Sequence, residues 1–245
     1  LYAKGVTEFS VHDRSVANDK KMLRSLIECV AEKCPDLFIS FPIDVSVLDQ
    51  QMISMLQNIY CSLEISVAGK EKREGDKTIL LFDKKLYANK ANLLNNAGLV
   101  FGFDMGWGIQ GGDTFKQFRE RLDFAVSLYP NHIDFPQFAD KEFIPKSTGV
   151  YSSKDLDFSQ GIAFSCKTFY SAGRAVPWFN SITSALKITP SAFFADFSEW
   201  QICNNCSLKS GFSPEDTKQL DIEKMQLVFI KEKLEEKHNG LGKNS

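Results

Sequence analysis

Along five stretches of this chain every second residue is polar or small, and the residues picked out in this way are of types that hold ligands. Within Val6 to Arg14, Glu8, Ser10, His12 and Arg14 alternate with Thr7, Phe9, Val11 and Asp13; next, Ser40, Pro42 and Asp44 alternate with Ile39, Phe41, Ile43 and Val45. Further on, Ser62, Glu64 and Ser66 alternate with Leu63, Ile65 and Val67. Gly102, Asp104, Gly106 and Gly108 alternate with Phe101, Phe103, Met105 and Trp107, and His132, Asp134 and Pro136 alternate with Ile133 and Phe135. Carboxylates such as Glu64 and Asp104 accept hydrogen bonds from a ligand or, as a pair about 5 to 10 Å apart, divide acid and base roles in hydrolysis. Glycine lets backbone approach a ligand closely and tolerates the dihedrals of a tight turn. The same side chains also suit a lumen in which they bond water and one another, and Gly106, Gly108, Gly111 and Gly112 also suit a long turn.

A strand sends alternate residues to opposite faces, so each stretch implies a strand with one apolar and one polar face. Buried parallel strands are ordinarily apolar on both; five with a polar face imply a polar lumen. The intervening segments read as helices. Met22, Leu23, Leu26, Ile27 and Val30 form a stripe within Asp19 to Lys33, and Asp49 to Tyr60 behaves similarly. Lys85 to Ala97 stops at Gly98 as a glycine-capped helix should, and Asp113 to Leu128 has Asp113 or Thr114 as its N-cap. Strands then begin near residues 6, 37, 61, 99 and 132, the cadence of βα repeats that close or half-close into a barrel. The expected fold is α/β: a partial (βα) TIM-like barrel of parallel strands over residues 1–150, followed by a C-terminal helical extension over 151–245. A doubly wound open sheet is the competing arrangement, but its strands are not expected to carry a polar face so consistently.

In the second half, Lys141 to Asp157 is polar and turn-rich, after which Ile162 to Tyr170, Val176 to Leu186, Ser191 to Ile202 and Glu215 to His238 read as helices. Phe193, Phe194, Phe197 and Trp200 recur at helical intervals, which marks core packing. Arg174, near Trp178, suits a cation over an aromatic ring or an anion contact. With 245 residues, 43% of them hydrophobic and 21 of them Phe, the chain has ample material for a core. Its net charge of −2 offers no electrostatic basis for binding nucleic acid or an anionic membrane. No apolar run approaches the roughly 20 residues that span a bilayer. The six cysteines, without an export signal, imply reduced thiols and a cytoplasmic protein. Cys203 and Cys206 have metal-ligand spacing but no second pair to complete a zinc site, so no metal ligands are assigned.

Four segments, HDRSVAND (12–19), LEISVAG (63–69), DMGWGIQGGDT (104–114) and IPKSTG (144–149), occur in an order and at a spacing that resemble the radical S-adenosylmethionine superfamily, and most of all its branch that carries a cobalamin-binding domain. The resemblance spans about residues 5 to 150. Members of that superfamily bind a 4Fe-4S cluster through CxxxCxxC after the first barrel strand, and this chain has no such triplet. Because the first strand here matches the second of the family, the resemblance implies a cluster segment ahead of Leu1 and a first strand and cluster loop outside this sequence. The departures are Gly108-Ile109-Gln110 in place of Gly-Leu-Pro, and Val67-Ala68 in place of Gln-Ser.

The resemblance implies S-adenosylmethionine and a 4Fe-4S cluster as cofactors, possible use of cobalamin, an electron donor, and a small-molecule or other unknown substrate. By that resemblance the cluster would reduce the sulfonium to release a 5'-deoxyadenosyl radical that takes hydrogen from the substrate. Glu64 and Ser66 are expected at the ribose and amino-acid ends of S-adenosylmethionine. Gly102, Asp104 and Gly108 are expected on its adenine and ribose side, and Pro136 beneath the adenine. His12, Arg14, Asp44 and Asp134 are expected to face substrate or cluster. Two other classes fit the same residues: a binding module without a cluster, and a barrel hydrolase that uses Glu64 and Asp104 and needs neither iron nor reductant.

Overall fold

The computed structural model describes residues 2–67, 70–74, 77–109, 113–139 and 145–241; residues 70–74, 77–81, 139 and 239–241 are described for the backbone alone. Gln110, Gly111 and Gly112 of the glycine-rich turn, Ala68 and Gly69 of the LEISVAG segment, and Ile144 lie outside the described residues.

The strands are β1 (Glu8–Ser10), β2 (Phe38–Pro42), β3 (Tyr60–Ser66), β4 (Lys70–Glu74), β5 (Lys77–Leu81), β6 (Val100–Asp104) and β7 (His132–Asp134). The helices are α1 (Lys20–Lys33), α2 (Gln50–Leu56), α3 (Lys84–Ala97), α4 (Phe115–Ser127), α5 (Pro136–Ala139), α6 (Ser153–Cys166), α7 (Phe179–Leu186), α8 (Pro190–Cys203) and α9 (Gln219–Leu241). The main sheet is five-stranded, in the order β1-β2-β3-β6-β7, while β4 and β5 form a separate two-stranded ribbon. The pairs β1 with β2, β2 with β3, and β3 with β6 are parallel. Strands that follow one another in chain order, without the reversal of a doubly wound sheet, are the arrangement of a partial (βα) barrel. A helical segment completes the α/β fold.

The chain divides into two compact units. The first comprises Leu1–Lys70, Leu81–Met105 and Leu128–Asn131; the second comprises Glu71–Leu80, Gly106–Ser127 and His132–Ser245. In the first, Ile39, Phe41, Cys61, Leu63, Ile65, Phe101 and Phe103 occupy the apolar sheet face and are 5% exposed or less. Leu23 and Ile27 of α1, Met52 and Leu56 of α2, and Tyr87 and Leu94 of α3 are buried with them. Asp19 caps α1 by accepting from the backbone of Lys21 and Met22, and Asp49 caps α2 through Met52. Lys20 also pairs with Asp49, which ties the two helix starts together and holds the Asp49 carboxyl below its usual range. The α3 helix ends at Gly98 in the left-handed region, φ 68°, as its sequence implies.

The second unit is mostly helical. Phe169 lies at its centre, with ring centroids 4.8 Å from Phe193, 4.9 Å from Phe197 and 6.2 Å from Phe229. The phenylalanines of α8 are therefore core, as their spacing implies. Lys167–Ala172 continues α6 as a π-helical turn. Gln226 of α9 donates to the carbonyls of Phe169 (2.7 Å) and Gly173 (2.9 Å) at this irregularity, so a buried amide satisfies oxygens beside the widened turn.

Three expectations need correction. Strand β1 ends at Ser10, and Arg14 begins a 3-10 turn (Arg14–Asn18) capped by Asp13, whose carboxylate accepts from the Ser15 backbone. The polar stretch before Asp157 is not all turn: Ser152 and Asp155 form a reciprocal capping box, and α6 starts at Ser153. Between β3 and α3, where alternation is absent, lies the β4–β5 ribbon.

Candidate functional site

Parallel registers decide which side chains share the polar face. Ser10 is opposite Ser40, and Ser40 opposite Ser62. Pro42 is opposite Glu64, Glu64 opposite Gly102, and Ser66 opposite Asp104. Partners in register point to the same side, so these residues form successive rows across four strands of the first unit. The rows change from hydroxyls in the middle of the sheet to carboxylates at the strands' C-terminal ends, the end at which parallel βα folds carry their sites.

Hydrogen bonds link residues on this face. Ser40 Oγ donates to Ser10 Oγ (2.8 Å), and the buried Ser62 hydroxyl donates to Glu64 Oε1 (3.1 Å). Glu64 is half-buried and has Gly102, without a side chain, beside it on β6. Arg14 Nη2 donates to Asp104 Oδ2 at 3.0 Å, with the arginine side chain 63% exposed. The chain leaving β1 is thereby clasped to the end of β6. Tyr87 donates its hydroxyl to the Ser66 carbonyl (2.7 Å), and Val67 N–H donates to the Asp104 carbonyl (2.8 Å), fixing the ends of β3 and β6.

Glu64, Ser66, Gly102, Asp104 and Arg14 are thus brought to one end of one sheet, and exposed His12 lies on the segment that leads into Arg14. Asp44 differs from the alternation that suggested it. It follows β2 and caps the 3-10 turn Val45–Val47, its carboxylate accepting from Ser46 N–H (2.8 Å).

Gly108, Asp134 and Pro136 belong to the second unit. Gly108 has φ +59°, and a Cβ there would meet Leu156 Cδ2 at 2.7 Å and Pro145 Cβ at 2.8 Å. Its lack of a side chain accommodates protein packing, where alternation pointed to an open slot. Pro136 does not continue the strand; it is the first residue of the short α5, a position that proline's fixed φ and missing N–H suit. Asp134 ends β7, with His132 Nε2 3.6 Å from its Oδ2.

The alternation gave no sign of the Asp113–Arg121 pair. Arg121 donates through Nη1 to Asp113 Oδ1 (2.6 Å) and through Nη2 to Asp113 Oδ2 (3.0 Å) and to the Gly106 carbonyl (2.9 Å). Ile109 N–H also donates to Asp113 (3.2 Å), and the two side chains are 5% and 0% exposed. This buried fork braces the described part of the loop that begins after β6, and it takes Asp113 away from helix capping. Thr114 caps α4 instead, accepting from Gln117 N–H (3.1 Å). The available signal was an arginine at 121 on the same helical face as Phe118, Leu122 and Ala125, all buried.

The cysteines do not form a cluster site. No three converge among the described residues. Cys61 sits on the apolar face of β3, where burial pushes its thiol up to about 11, and Cys166 is fully buried and shifted upward for the same reason. Of the CxxC pair, Cys206 is buried and Cys203 exposed. No helix among the described residues is long and apolar enough to cross a membrane.

No protein-family profile matches the sequence, and no curated protein resembles it. Among solved structures, the chain is similar to the radical S-adenosylmethionine methyltransferase TsrM from Kitasatospora setae with cobalamin and a [4Fe-4S] cluster bound, at 16% identity and a TM-score of 0.42. That alignment covers 54% of this chain and 26% of the other. The same enzyme with tryptophan substrate and the S-adenosylmethionine analogue aza-SAM aligns at 15% identity and a TM-score of 0.41, over 54% of this chain and 27% of that one. This chain spans about a quarter of the length of those structures.

Proposed function

We propose that this chain is the S-adenosylmethionine-binding part of a radical S-adenosylmethionine enzyme, with residues 1–150 as the barrel core and residues 151–245 as a helical extension. The observation that carries the reading is the register that sets Glu64 beside Gly102 and Ser66 beside Asp104 at the C-terminal end of a sequentially ordered parallel sheet. It adds to the four motif segments, since LEISVAG contains β3 from Leu63 to its end and DMGWGIQGGDT starts at the last residue of β6.

The donor set suits the nucleoside. Glu64 would accept from the ribose diol, with Ser62 orienting its carboxylate, and Gly102 would admit the ligand against the β6 backbone. Ser66 and the Arg14–Asp104 pair supply a hydroxyl and charges for the amino-acid end. The cysteines present do not suit an iron–sulfur cluster, so in this reading its ligands come from outside these 245 residues. When bound, the cluster would supply the electron that splits the sulfonium, and an electron donor would replenish it; a small-molecule substrate completes the assignment, in which cobalamin is an optional partner.

The test is calorimetric titration of the 245-residue chain with S-adenosylmethionine. The expected result is weak binding that falls by about 10-fold or more in Glu64→Gln, the size of a lost hydrogen bond to a charged group, with the melting temperature unchanged. Absence of binding, or binding indifferent to Glu64→Gln and Asp104→Asn alike, overturns the reading. Asp104 already holds Arg14, which does not favour a hydrolase with two free carboxylates.

A further inference from the structure

The last helix of the second unit, α9, is apolar on two sides, and its own fold uses one of them. Ile222, Gln226 and Phe229 are buried, with the Phe229 ring centroid 5.2 Å from Phe193 and 5.0 Å from Phe197. On the other side Leu220, Leu227 and Leu234 follow one another at a strict seven-residue interval and are 60%, 69% and 43% exposed, with Val228 beside them at 47%. A helix that packs on one side needs one apolar stripe. A second stripe with a seven-residue period is suited to pairing with another helix. With the leucines at heptad position d, Lys224, Lys231 and His238 occupy position a; Asp221, Val228 and Glu235 flank the seam at e, and Glu223, Ile230 and Lys237 flank it at g.

The charges of α9 narrow the choice of partner. Glu232, Lys233 and Glu236 lie off the seam: Glu232 accepts from Trp200 Nε1 (2.8 Å), and Lys233 pairs with Asp196 (2.8 Å) and Glu236 (2.9 Å). The seam and its flanks hold three acids, Asp221, Glu223 and Glu235, against three lysines, Lys224, Lys231 and Lys237, so the surface is balanced and suits a copy of itself. Lys224 lies 3.3 Å from Asp221 and Lys231 3.8 Å from Glu235, and Lys237 donates to the Ala185 carbonyl. Parallel pairing of two copies sets each position-a lysine against its own counterpart. Antiparallel pairing about a two-fold axis level with residue 229 instead sets Lys231 against the partner's Leu227, Lys224 against the partner's Leu234 and His238 against the partner's Leu220. The lysine stems then cover leucine while their ammonium groups stay in water. On one flank Glu223 meets the partner's Lys237, twice by symmetry. On the other, the single like-charge approach, Asp221 to the partner's Glu235, involves carboxylates already beside Lys224 and Lys231. Val228 and Ile230 each meet their own counterparts at the centre.

We propose that α9 pairs antiparallel with α9 of a second copy of this chain, through an isologous contact centred on Leu227 and Lys231. This goes beyond the function proposed above and does not depend on it.

The test is sedimentation of the 245-residue chain from about 10 µM to about 1 mM, the range in which a contact made by a single helix is expected to form. The expected result is a reversible monomer–dimer equilibrium. Leu227→Lys, at a position too exposed to disturb the fold, sets a lysine against the partner's Lys231 and removes the dimer. Glu223→Lys and Lys237→Glu each weaken it at least about five-fold, and an equimolar mixture of the two variants regains the original affinity, because positions 223 and 237 then attract only between unlike copies. Oxidation of mixed Leu227→Cys and Lys231→Cys chains joins 227 to 231 in a disulfide mapped by mass spectrometry; this decides the orientation if Lys237→Glu loosens the helix end. The proposal is overturned by a chain that stays monomeric throughout, by a dimer that survives Leu227→Lys, or by disulfides that join like positions or leave 227 and 231 unjoined.

Discussion

At the scale of single residues, two ion pairs, one in each compact unit, differ in what they contribute. The Arg14–Asp104 pair has an arginine 63% exposed, so water competes for both partners, and Asp104→Asn should change unfolding free energy by less than about 1 kcal/mol. The Asp113–Arg121 pair is buried and forked, and Asp113→Asn leaves a guanidinium short of a counter-charge. That substitution should cost about 3–5 kcal/mol in urea denaturation, whereas Asp113→Leu combined with Arg121→Met should recover most of the loss. Recovery distinguishes a buried charge left unpaired from simple loss of packing. Asp104 was legible because alternation places it on the polar face of β6, whereas Arg14 alternates only in sequence, since β1 ends at Ser10 and Arg14 begins the 3-10 turn that follows. The second pair was hidden because Asp113 also fits a helix N-cap, and local sequence does not show which partner wins. Gly108 shows the opposite failure: glycine marks close approach, but spacing does not tell whether a ligand or Leu156 approaches.

At the scale of elements, helices with a strong local stop or start were readable and those defined by tertiary packing were less so. Gly98 ends α3 in the left-handed region; Gly98→Ala should lower stability by about 1 kcal/mol through the steric cost of a side chain at positive φ. The capping box of α6 predicts a loss of about 1 kcal/mol for Ser152→Ala, measured by thermal melting. That box was present in the sequence as Ser152 and Asp155, yet the polar surroundings made the segment look like a loop. The β strands were found through one apolar and one polar face. The β4–β5 ribbon escaped because its residues do not alternate in that way. The π-helical turn has no local signature, since what supports it, Gln226, comes from α9. Gln226→Met should cost about 1–3 kcal/mol by leaving buried carbonyls unpaired.

At the scale of the whole molecule, the thiols report on folding. Cys29 and Cys203 are exposed, Cys34 is intermediate, and Cys61, Cys166 and Cys206 are buried. A thiol reagent should therefore modify Cys29 and Cys203 rapidly, Cys34 more slowly, and the remaining three only after denaturation. Mass spectrometry of the labelled peptides checks this order. Alkaline pH tests the same burial. Cys61 holds its proton to about 11 in the fold against an ordinary 9.0, so between those values the folded chain binds more protons than the unfolded one. Stability must then fall as pH rises through that window, and Cys61→Val should reduce the fall. The strand order has a consequence for synthesis. In the first unit each strand of the main sheet pairs with the preceding strand of that sheet, so the sheet can lengthen as the polypeptide leaves the ribosome. While α3 is being made, however, β3 presents an open edge that only β6 will cover. Nascent chains paused in that interval carry an unpaired, apolar-backed strand, and it is there that a chaperone able to shield strand edges would have the most effect on yield.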